Sequence, residues 1–276
     1  MKIGIVGGGF VGSATALLEC EHVERITYDL DPARCFPAGT KKEDLLTCDV
    51  VFVCVPTPSY DSGKCNTKIV EACITDLKAT GVKNIVLRST VPPGTSAHLG
   101  VDFMPEFLTE ANWRNDFYEC SQWIFGVESA EVKDILTNIF NAAAAAGKIR
   151  TANTSFIRRE EAEMVKYVRN NFLATKISFF NEIEELCRKL QISYENVQKG
   201  VVADGRIGAS HTMVPGYDGH RGFGGTCLPK DTNALVHIME SAAMTSYIVK
   251  ATVNRNILVD RPERDWESDP RAFTRT

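Results

Sequence analysis

Residues 2–12 read KIGIVGGGFVG, a short apolar run that passes directly into a glycine-rich turn. The turn satisfies the spacing G-x-G-x-x-G, and Asp29 follows 17 residues after the last of these glycines, at the end of the next apolar run. In a strand–turn–helix unit such glycines allow a tight turn and the close approach of a pyrophosphate, while the acidic residue accepts hydrogen bonds from a ribose. The stretch therefore predicts a dinucleotide site that prefers NAD. The expected cofactor contacts in it are Gly7, Gly9, Phe10, Val11, Gly12 and Asp29.

Apolar runs alternate with helical patterns through the first half of the chain. Strands are predicted at 2–6, 25–29, 50–55, 84–89 and 122–127, and helices at 10–21, 67–80 and 130–146. Buried parallel strands are continuously apolar, as is VVFVCV at 50–55. Strands separated by helices predict an α/β fold, with a Rossmann-type parallel sheet domain over residues 1–153.

A different pattern follows. Residues 156–190 contain no proline or glycine, and apolar side chains recur there at helical spacing. A helix of about 35 residues would be about 50 Å long, more than one small domain covers, so we expect part of it to contact a second copy in a homodimer. An all-helical domain carrying this long helix is predicted over 154–258. Residues 259–276 are rich in charge and are expected to form an exposed tail.

A second motif, GFGGTCLPKD at 222–231, surrounds Cys227. Pro229 suits the first turn of a helix, which would set Cys227 just before a helix N-terminus, where the helix dipole favours a thiolate. The motif favours a nucleophile at Cys227 over a buried small apolar residue.

Three polar residues, Lys166, Asn170 and Asn181, fall on one side of the predicted long helix. A lysine and an asparagine one turn apart can both stabilise an oxyanion. A solvated helix face has the same spacing and stays open as an alternative.

Composition limits the other possibilities. With 44% apolar and 24% charged residues and a net charge of −4, the chain resembles an ordinary globular protein, and no basic surface indicates nucleic acid as a partner. Nine cysteines without a Cys-x-x-Cys pair suggest reduced thiols in a cytoplasm-like compartment. The five histidines lack metal-ligand spacing, and we expect no metal, no signal peptide and no membrane-spanning helix.

Several separated segments together carry a family resemblance. They are the glycine stretch, VPTP at 55–58, STVPPGT at 89–95, PEFLTE at 105–110, the helix from Lys166 to Asn181, and GFGGTCLPKD at 222–231. In this order they resemble the UDP-glucose/GDP-mannose dehydrogenase family. The resemblance implies oxidation of a nucleotide-sugar C6 alcohol to the carboxylate, with UDP-glucose as the first choice, two NAD⁺ and one water consumed, and a thiohemiacetal and a thioester formed on Cys227.

The resemblance also assigns roles. The implied catalytic residues are Cys227, Lys166, Asn170, Glu106, Asp231 and Thr90. Glu106 is expected to act as the general acid/base in thioester hydrolysis, and Asp231 with Thr90 to position water. The further cofactor contacts it implies are Arg34, Pro56, Thr57, Thr90 and Lys230. The implied substrate contacts are Phe107, Leu108, Glu110, Lys166, Asn170, Arg206, Phe223, Gly224 and Gly225.

The sequence departs from the family pattern in two places. Full-length members carry a third, C-terminal domain that this chain is expected to lack, and the loop before Cys227 looks longer than usual. His220 or Arg221 is expected to replace lost phosphate contacts. Two alternatives stay open: a 3-hydroxyacid-type dehydrogenase that transfers one hydride, and a non-catalytic NAD-binding module.

Overall fold

The computed structural model describes residues 1–275, which form two compact units. The first unit comprises Met1–Thr57 and Thr67–Lys166, and the second comprises Pro58–Asn66 together with the residues from Tyr167 onward. The division therefore falls inside the long helix rather than near residue 153, and a short segment from the first half of the chain belongs to the second unit.

A seven-stranded sheet forms the centre of the first unit. The strands of the described chain are β1 (Lys2–Val6), β2 (Glu24–Tyr28), β3 (Val50–Val53), β4 (Ser59–Tyr60), β5 (Ile85–Leu87), β6 (Asp102–Phe103), β7 (Trp123–Gly126), β8 (Thr154–Ile157) and β9 (Phe273–Thr274). The seven-stranded sheet has the order β2-β1-β3-β5-β6-β7-β8. All neighbours in it are parallel except β6 and β7, which are antiparallel. The predicted mostly parallel sheet is confirmed.

Both faces of this sheet are buried. In β3 the side chains of Val50 and Phe52 lie in one apolar cluster, and those of Val51 and Val53 lie in another. Since successive strand residues point to opposite faces, the alternation means that apolar material covers the sheet on each side. The continuously apolar strand in the sequence is thereby explained.

Nine α-helices are present in the described residues. They are α1 (Phe10–Thr15), α2 (Lys68–Thr80), α3 (Thr95–His98), α4 (Trp113–Tyr118), α5 (Ala130–Ala145), α6 (Arg159–Lys189), α7 (Tyr194–Val202), α8 (Leu228–Ser241) and α9 (Ile248–Arg255). Gly81 ends α2 in the left-handed conformation, with φ of 103°, which is the expected role of a glycine after a helix.

Two helix boundaries differ from the predictions. The first helix ends at Thr15 and continues as a short 3-10 turn to Leu18, rather than reaching residue 21. The long helix begins at Arg159, because Thr154–Ile157 pairs with β7 instead. A short apolar run is compatible with both a helix and a strand. Residues 154–157 form a strand because they hydrogen-bond to the edge of β7.

The second unit is mainly helical, as predicted, but its last residues are not an exposed tail. Arg261, Trp266 and Ala272 are 3%, 7% and 2% exposed. β9 pairs in parallel with β4, matching Ser59 with Phe273. The expectation of a solvated tail was wrong because ion pairs within the unit neutralise its charges, as described below.

Candidate active site

The glycine turn after β1 has the geometry of a dinucleotide cradle. Gly7 has a φ of 96°, and a Cβ on Gly12 would lie 1.9 Å from the Gly7 carbonyl oxygen. Side chains at both positions are therefore excluded. A Cβ on Gly9 would meet no atom within 4 Å, so the backbone there is open to a ligand. These are the three roles that the fingerprint requires.

Asp29 lies beside this turn, at the carboxyl end of β2. Its Oδ2 accepts a hydrogen bond of 2.6 Å from the Gly8 amide, and its Oδ1 accepts one of 2.8 Å from the Asp31 amide. Each carboxylate oxygen keeps a further lone pair for a ribose hydroxyl. The Cβ of Arg34 packs against Gly8, and its side chain is 57% exposed. The residues present therefore fit the adenosine half of NAD.

The loops after β3 and β5 are joined at the same end of the sheet. Ser89 Oγ donates a hydrogen bond of 2.6 Å to the Val55 carbonyl oxygen. Thr57 and Thr90 are buried, whereas Pro56 is exposed. Because the carboxyl ends of parallel strands form the ligand crevice in this kind of sheet, these residues lie where cofactor contacts are expected.

Glu106 and Lys166 form a buried ion pair in the first unit. Lys166 Nζ donates to Glu106 Oε1, and the two side chains are 2% and 5% exposed, respectively. Glu106 Oε2 also accepts a hydrogen bond of 2.8 Å from the Leu108 amide. Burial disfavours the carboxylate, but the Lys166 charge and these hydrogen bonds outweigh it and lower the pKa of Glu106. The site therefore holds an ionised carboxylate capable of acting as a base.

Arg88 is a further cation near Glu106 that the sequence analysis missed. It is 2% exposed, and its Nη1 donates a hydrogen bond of 2.5 Å to Thr15 Oγ1 of the fingerprint helix. Its charge adds to the lowering of the Glu106 pKa. A charge at the end of the apolar strand IVL was the signal for it.

The second unit contains another polar cluster, centred on Asp231, which has no exposed surface. Asn170 Nδ2 donates to one carboxylate oxygen at 2.6 Å, and Lys230 Nζ donates to the other at 2.5 Å. Asn171, which the sequence analysis overlooked beside Asn170, donates to the Asp231 carbonyl oxygen at 3.1 Å. Burial favours a neutral Lys230, but the charge of the Asp231 carboxylate and its hydrogen bond outweigh this effect and raise the Lys230 pKa.

Cys227 caps the N-terminus of α8, as the sequence predicted. Its carbonyl oxygen accepts a hydrogen bond of 2.9 Å from the Asp231 amide, and Pro229 occupies the first turn. The residue is partly exposed, and its Sγ lies 3.7 Å from Thr226 Oγ1. The N-terminal amides of α8 and the ammonium of Lys230 contribute positive potential near it.

Other predicted residues have different surroundings. Asn181 is not on an open polar stripe: its Oδ1 accepts a hydrogen bond of 3.2 Å from the Gly222 amide. Arg221 pairs with Glu184 and donates to the Asn181 carbonyl oxygen at 2.9 Å. Its guanidinium is therefore engaged in contacts within the second unit and is not available for a phosphate. Arg206, whose side chain is 88% exposed, pairs with Asp204.

Four further predicted positions contribute no polar side-chain group to the two clusters. Phe107 and Leu108 are half-buried beside Glu106, and Glu110 is exposed. His220 lies on the surface, with Nδ1 3.6 Å from Glu263 Oε1. Across residues 1–275, no group of three His, Cys, Asp or Glu side chains could hold a metal ion. In the same part of the chain, no helix is long and apolar enough to cross a membrane.

Two family models match this chain. The model described as the NAD binding domain of the UDP-glucose/GDP-mannose dehydrogenase family matches residues 34–144, and the central-domain model of the same family matches residues 160–257. The chain belongs to the UDP-glucose/GDP-mannose dehydrogenase family. NAD is accordingly the cofactor of its sheet domain.

Individual relatives in the UDP-glucose/GDP-mannose dehydrogenase family agree. UDP-glucose 6-dehydrogenase of Rickettsia bellii is 34% identical over 227 residues, which cover 78% of this chain and 50% of that protein. The chain thus spans about half the length of the curated relatives it matches. A solved UDP-glucose dehydrogenase from Pyrobaculum islandicum superposes with a TM-score of 0.80 at 27% identity, covering 92% of this chain and 67% of that one.

The fold extends beyond the UDP-glucose/GDP-mannose dehydrogenase family. The 3-hydroxyisobutyrate dehydrogenase of Mycobacterium tuberculosis superposes with a TM-score of 0.69 at 15% identity, covering 92% of this chain and 91% of that one. At this identity the likeness concerns the fold alone, so the chemistry must be argued from side chains.

Proposed function

We propose that this chain is an NAD-dependent nucleotide-sugar 6-dehydrogenase that oxidises the C6 alcohol of UDP-glucose to the carboxylate. The observation that carries the proposal is Cys227 at the N-terminus of α8, next to the ammonium of Lys230 and the fully buried Asp231. A dehydrogenase that transfers a single hydride needs no such thiol. A four-electron oxidation does, because its aldehyde must be retained between the two steps.

The proposed covalent step uses the thiolate of Cys227. A C–S bond forms to the aldehyde carbon, and the carbonyl oxygen becomes an oxyanion that then takes up a proton, giving a thiohemiacetal. Loss of a second hydride and the hydroxyl proton gives a thioester. Attack by water breaks the C–S bond and releases the carboxylate and the thiol. Cys227 is a partly exposed residue, which suits this addition.

Positive and amide groups on α6 support the oxyanions in this proposal. Lys166 and Asn170 are separated by one helical turn, and both carry N–H donors. Each is held by a carboxylate, Lys166 by Glu106 and Asn170 by Asp231, so each is oriented before substrate arrives. Glu106 is assigned the general base for thioester hydrolysis because its lowered pKa keeps it ionised at neutral pH.

The cofactor contacts follow from the first unit. Gly7, Gly9 and Gly12 accommodate the pyrophosphate, and Asp29 accepts hydrogen bonds from the adenosine ribose. NAD⁺, when bound there, would supply the hydride acceptor for both oxidations, of which the first gives the aldehyde and the second the thioester, so two molecules of it would be consumed.

The decisive experiment is a screen of nucleotide sugars with NAD⁺, read by NADH absorbance. We expect two NADH per UDP-glucose consumed, and loss of the second oxidation in C227S. One NADH per substrate would favour a 3-hydroxyacid-type reaction, and a serine variant that completes both oxidations would exclude the covalent mechanism. NAD binding without turnover of any nucleotide sugar would favour a non-catalytic module.

The partner in this proposal is a second copy of the chain, bound through α6. Four apolar side chains of α6 and that of Leu190, which directly follows the helix, are at least half exposed and are spaced by four, seven, seven and four residues, so they form one stripe. They are Val168, Phe172, Phe179, Leu186 and Leu190. A contiguous apolar stripe on a helix is suited to pairing with its own copy. Light scattering should give a dimeric mass, and F172E/F179E a monomeric one; a monomeric wild type would exclude the dimer.

A further inference from the structure

The residues that follow the family match are an integral part of the second unit. The central-domain match ends at residue 257. Beyond it, Asp260 and Arg261 are 6% and 3% exposed, and the Ser59 amide donates a hydrogen bond of 2.9 Å to the Ala272 carbonyl oxygen. We call residues 258–274 the C-terminal segment. Although the segment is rich in charged residues, it is packed into the second unit.

This end of the chain contacts the glycine loop Gly222–Gly225, which precedes Cys227. The side chain of Asn256, just before the C-terminal segment, hydrogen-bonds both the amide and the carbonyl oxygen of Phe223, each at 2.8 Å. A Cβ on Gly222 would lie 2.2 Å from Asn256 Oδ1. The Asn256 side chain therefore satisfies both backbone groups of Phe223, as a neighbouring β-strand would, and fixes the loop backbone there.

Arg261 makes the closest contact. A Cβ added to Gly224 would lie 2.4 Å from Arg261 Cζ, 2.7 Å from Nη2 and 2.8 Å from Nε. The flat guanidinium thus packs on the Gly224 backbone. Gly224 does not have a positive φ, so its own conformation would accept an alanine. The requirement for glycine at this position comes from Arg261.

The guanidinium is itself fixed by two carboxylates. Arg261 donates to Asp265 through Nε at 2.7 Å and Nη2 at 2.6 Å, and to Asp218 through Nη1 at 2.5 Å. Asp218 lies in the loop that leads to the glycines, and Asp265 lies in the C-terminal segment. One buried arginine therefore ties both parts of the loop before Cys227 to the C-terminal segment, with its charge fully paired.

We propose that Arg261 is a positioning residue that holds the glycine loop in the conformation that binds the nucleotide sugar. The inference rests on the proposed function and on the family resemblance, which implies that Phe223, Gly224 and Gly225 contact the substrate. Arg261 does not touch substrate, because its guanidinium is covered by Gly224 and the two carboxylates. Removing the Arg261 side chain makes the preformed glycine loop more mobile. We therefore expect substrate affinity to fall more than the rate of the chemical step.

The first test compares R261A and R261K with R271A, a control that removes a half-exposed arginine of the same segment. We expect KM for UDP-glucose to rise about tenfold to a hundredfold in R261A with little change in kcat. R261K should have a KM between those of the wild type and R261A, since lysine keeps the positive charge but lacks the planar guanidinium that donates to both Asp218 and Asp265. R271A should match the wild type. An unchanged KM in a folded R261A would overturn the proposal.

The second test examines the contact itself. G224A alone should raise KM, because its methyl group displaces the guanidinium. In R261A/G224A the methyl group occupies space that the arginine vacated, so the double variant should be no worse than R261A. Effects that simply multiply would show that the two residues are uncoupled and would refute the contact.

Hydrogen exchange separates this inference from the proposed function. Amides of residues 222–226 should exchange faster in R261A than in the wild type or R271A, whether or not the protein turns over a nucleotide sugar. If the wild type oxidises none, the proposed function fails, while exchange still reports on the loop. Unchanged exchange in R261A would refute the role of Arg261 independently of any activity.

Discussion

Glu106 accepts a hydrogen bond from Lys166 where both side chains are almost completely removed from solvent. Burial alone would favour the neutral form of Glu106, yet the charge of Lys166 holds the Glu106 pKa below its ordinary value. A base that stays ionised and a cation that is already oriented are what hydrolysis of a thioester requires.

Replacing Glu106 with glutamine should separate oxidation from hydrolysis. E106Q retains the thiol of Cys227 but lacks the base, so we expect a burst of NADH followed by turnover slowed by about 10²-fold to 10⁴-fold. Rapid mixing with UDP-glucose and intact-mass measurement should detect the acyl-enzyme. Steady turnover without a burst would contradict the role given to Glu106.

Replacing Lys166 with methionine should cost stability. K166M leaves the Glu106 carboxylate buried without its cation, and breaking such a pair costs about 3–5 kcal/mol. Urea unfolding measures the loss. K199M is the matched control, because Lys199 and Glu195 form an exposed, solvent-screened pair whose removal should cost much less. Equal losses in the two variants would show that burial of the first pair is unimportant.

The same pair predicts a pH dependence of stability. The folded-state pKa of Glu106 is lowered from its ordinary 4.5, so its ionised form stabilises the fold above the unfolded-state pKa, and that stabilisation is lost as pH falls through the lowered value. The free energy of unfolding of the wild type, relative to E106Q/K166M, should be constant from neutral pH to about pH 5 and then decrease. A difference that does not change in acid would exclude this linkage.

Asp29 should control cofactor affinity. D29A removes the acceptor for the ribose hydroxyls, and we expect NADH to bind about 10-fold to 100-fold more weakly, with less discrimination against the 2′-phosphorylated cofactor. Calorimetric titration measures both. Asp44 provides the control: its exposed carboxylate accepts the Lys41 amide at 2.7 Å and lies outside the glycine turn, so D44A should bind NADH normally. If D29A bound NADH as tightly as the wild type, the assignment of Asp29 to the adenosine ribose would be wrong.

Alkylation should distinguish Cys227 from other thiols. Burial raises the pKa of Cys48, Cys54 and Cys73 to about 11, which leaves little thiolate at mildly alkaline pH. Cys227 is partly exposed at a helix N-terminus beside Lys230. Limited iodoacetamide treatment followed by peptide mass analysis should therefore find Cys227 modified before these three. The reverse order would argue against an activated thiol.

Sequence reasoning succeeded where the signal is local. Gly7 and Gly12 are determined by backbone geometry within a few residues, and α6 has a periodic apolar pattern with no breaker. The position of Cys227 before a helix was predicted because Pro229 follows it at helix-start spacing. Such features depend little on distant parts of the chain.

The features that were missed depend on partners far along the sequence. Arg261 has the composition of a solvated residue, and only Asp218 and Gly224, brought to it by folding, make it part of a core. Arg221 was expected to be available for a phosphate for the same reason, since nothing in the sequence indicates its pairing with Glu184. The charge of an arginine in the sequence does not show whether it binds an anionic ligand or forms an ion pair within the protein.

The pairing of β4 with β9 has a consequence for folding kinetics. It joins Ser59 to Phe273 across most of the chain, so closing that loop costs far more entropy than forming α8 or α9. A contact of such high sequence separation is expected to form after the rate-limiting barrier. Substitutions in β9 should then accelerate unfolding and leave the refolding rate nearly unchanged.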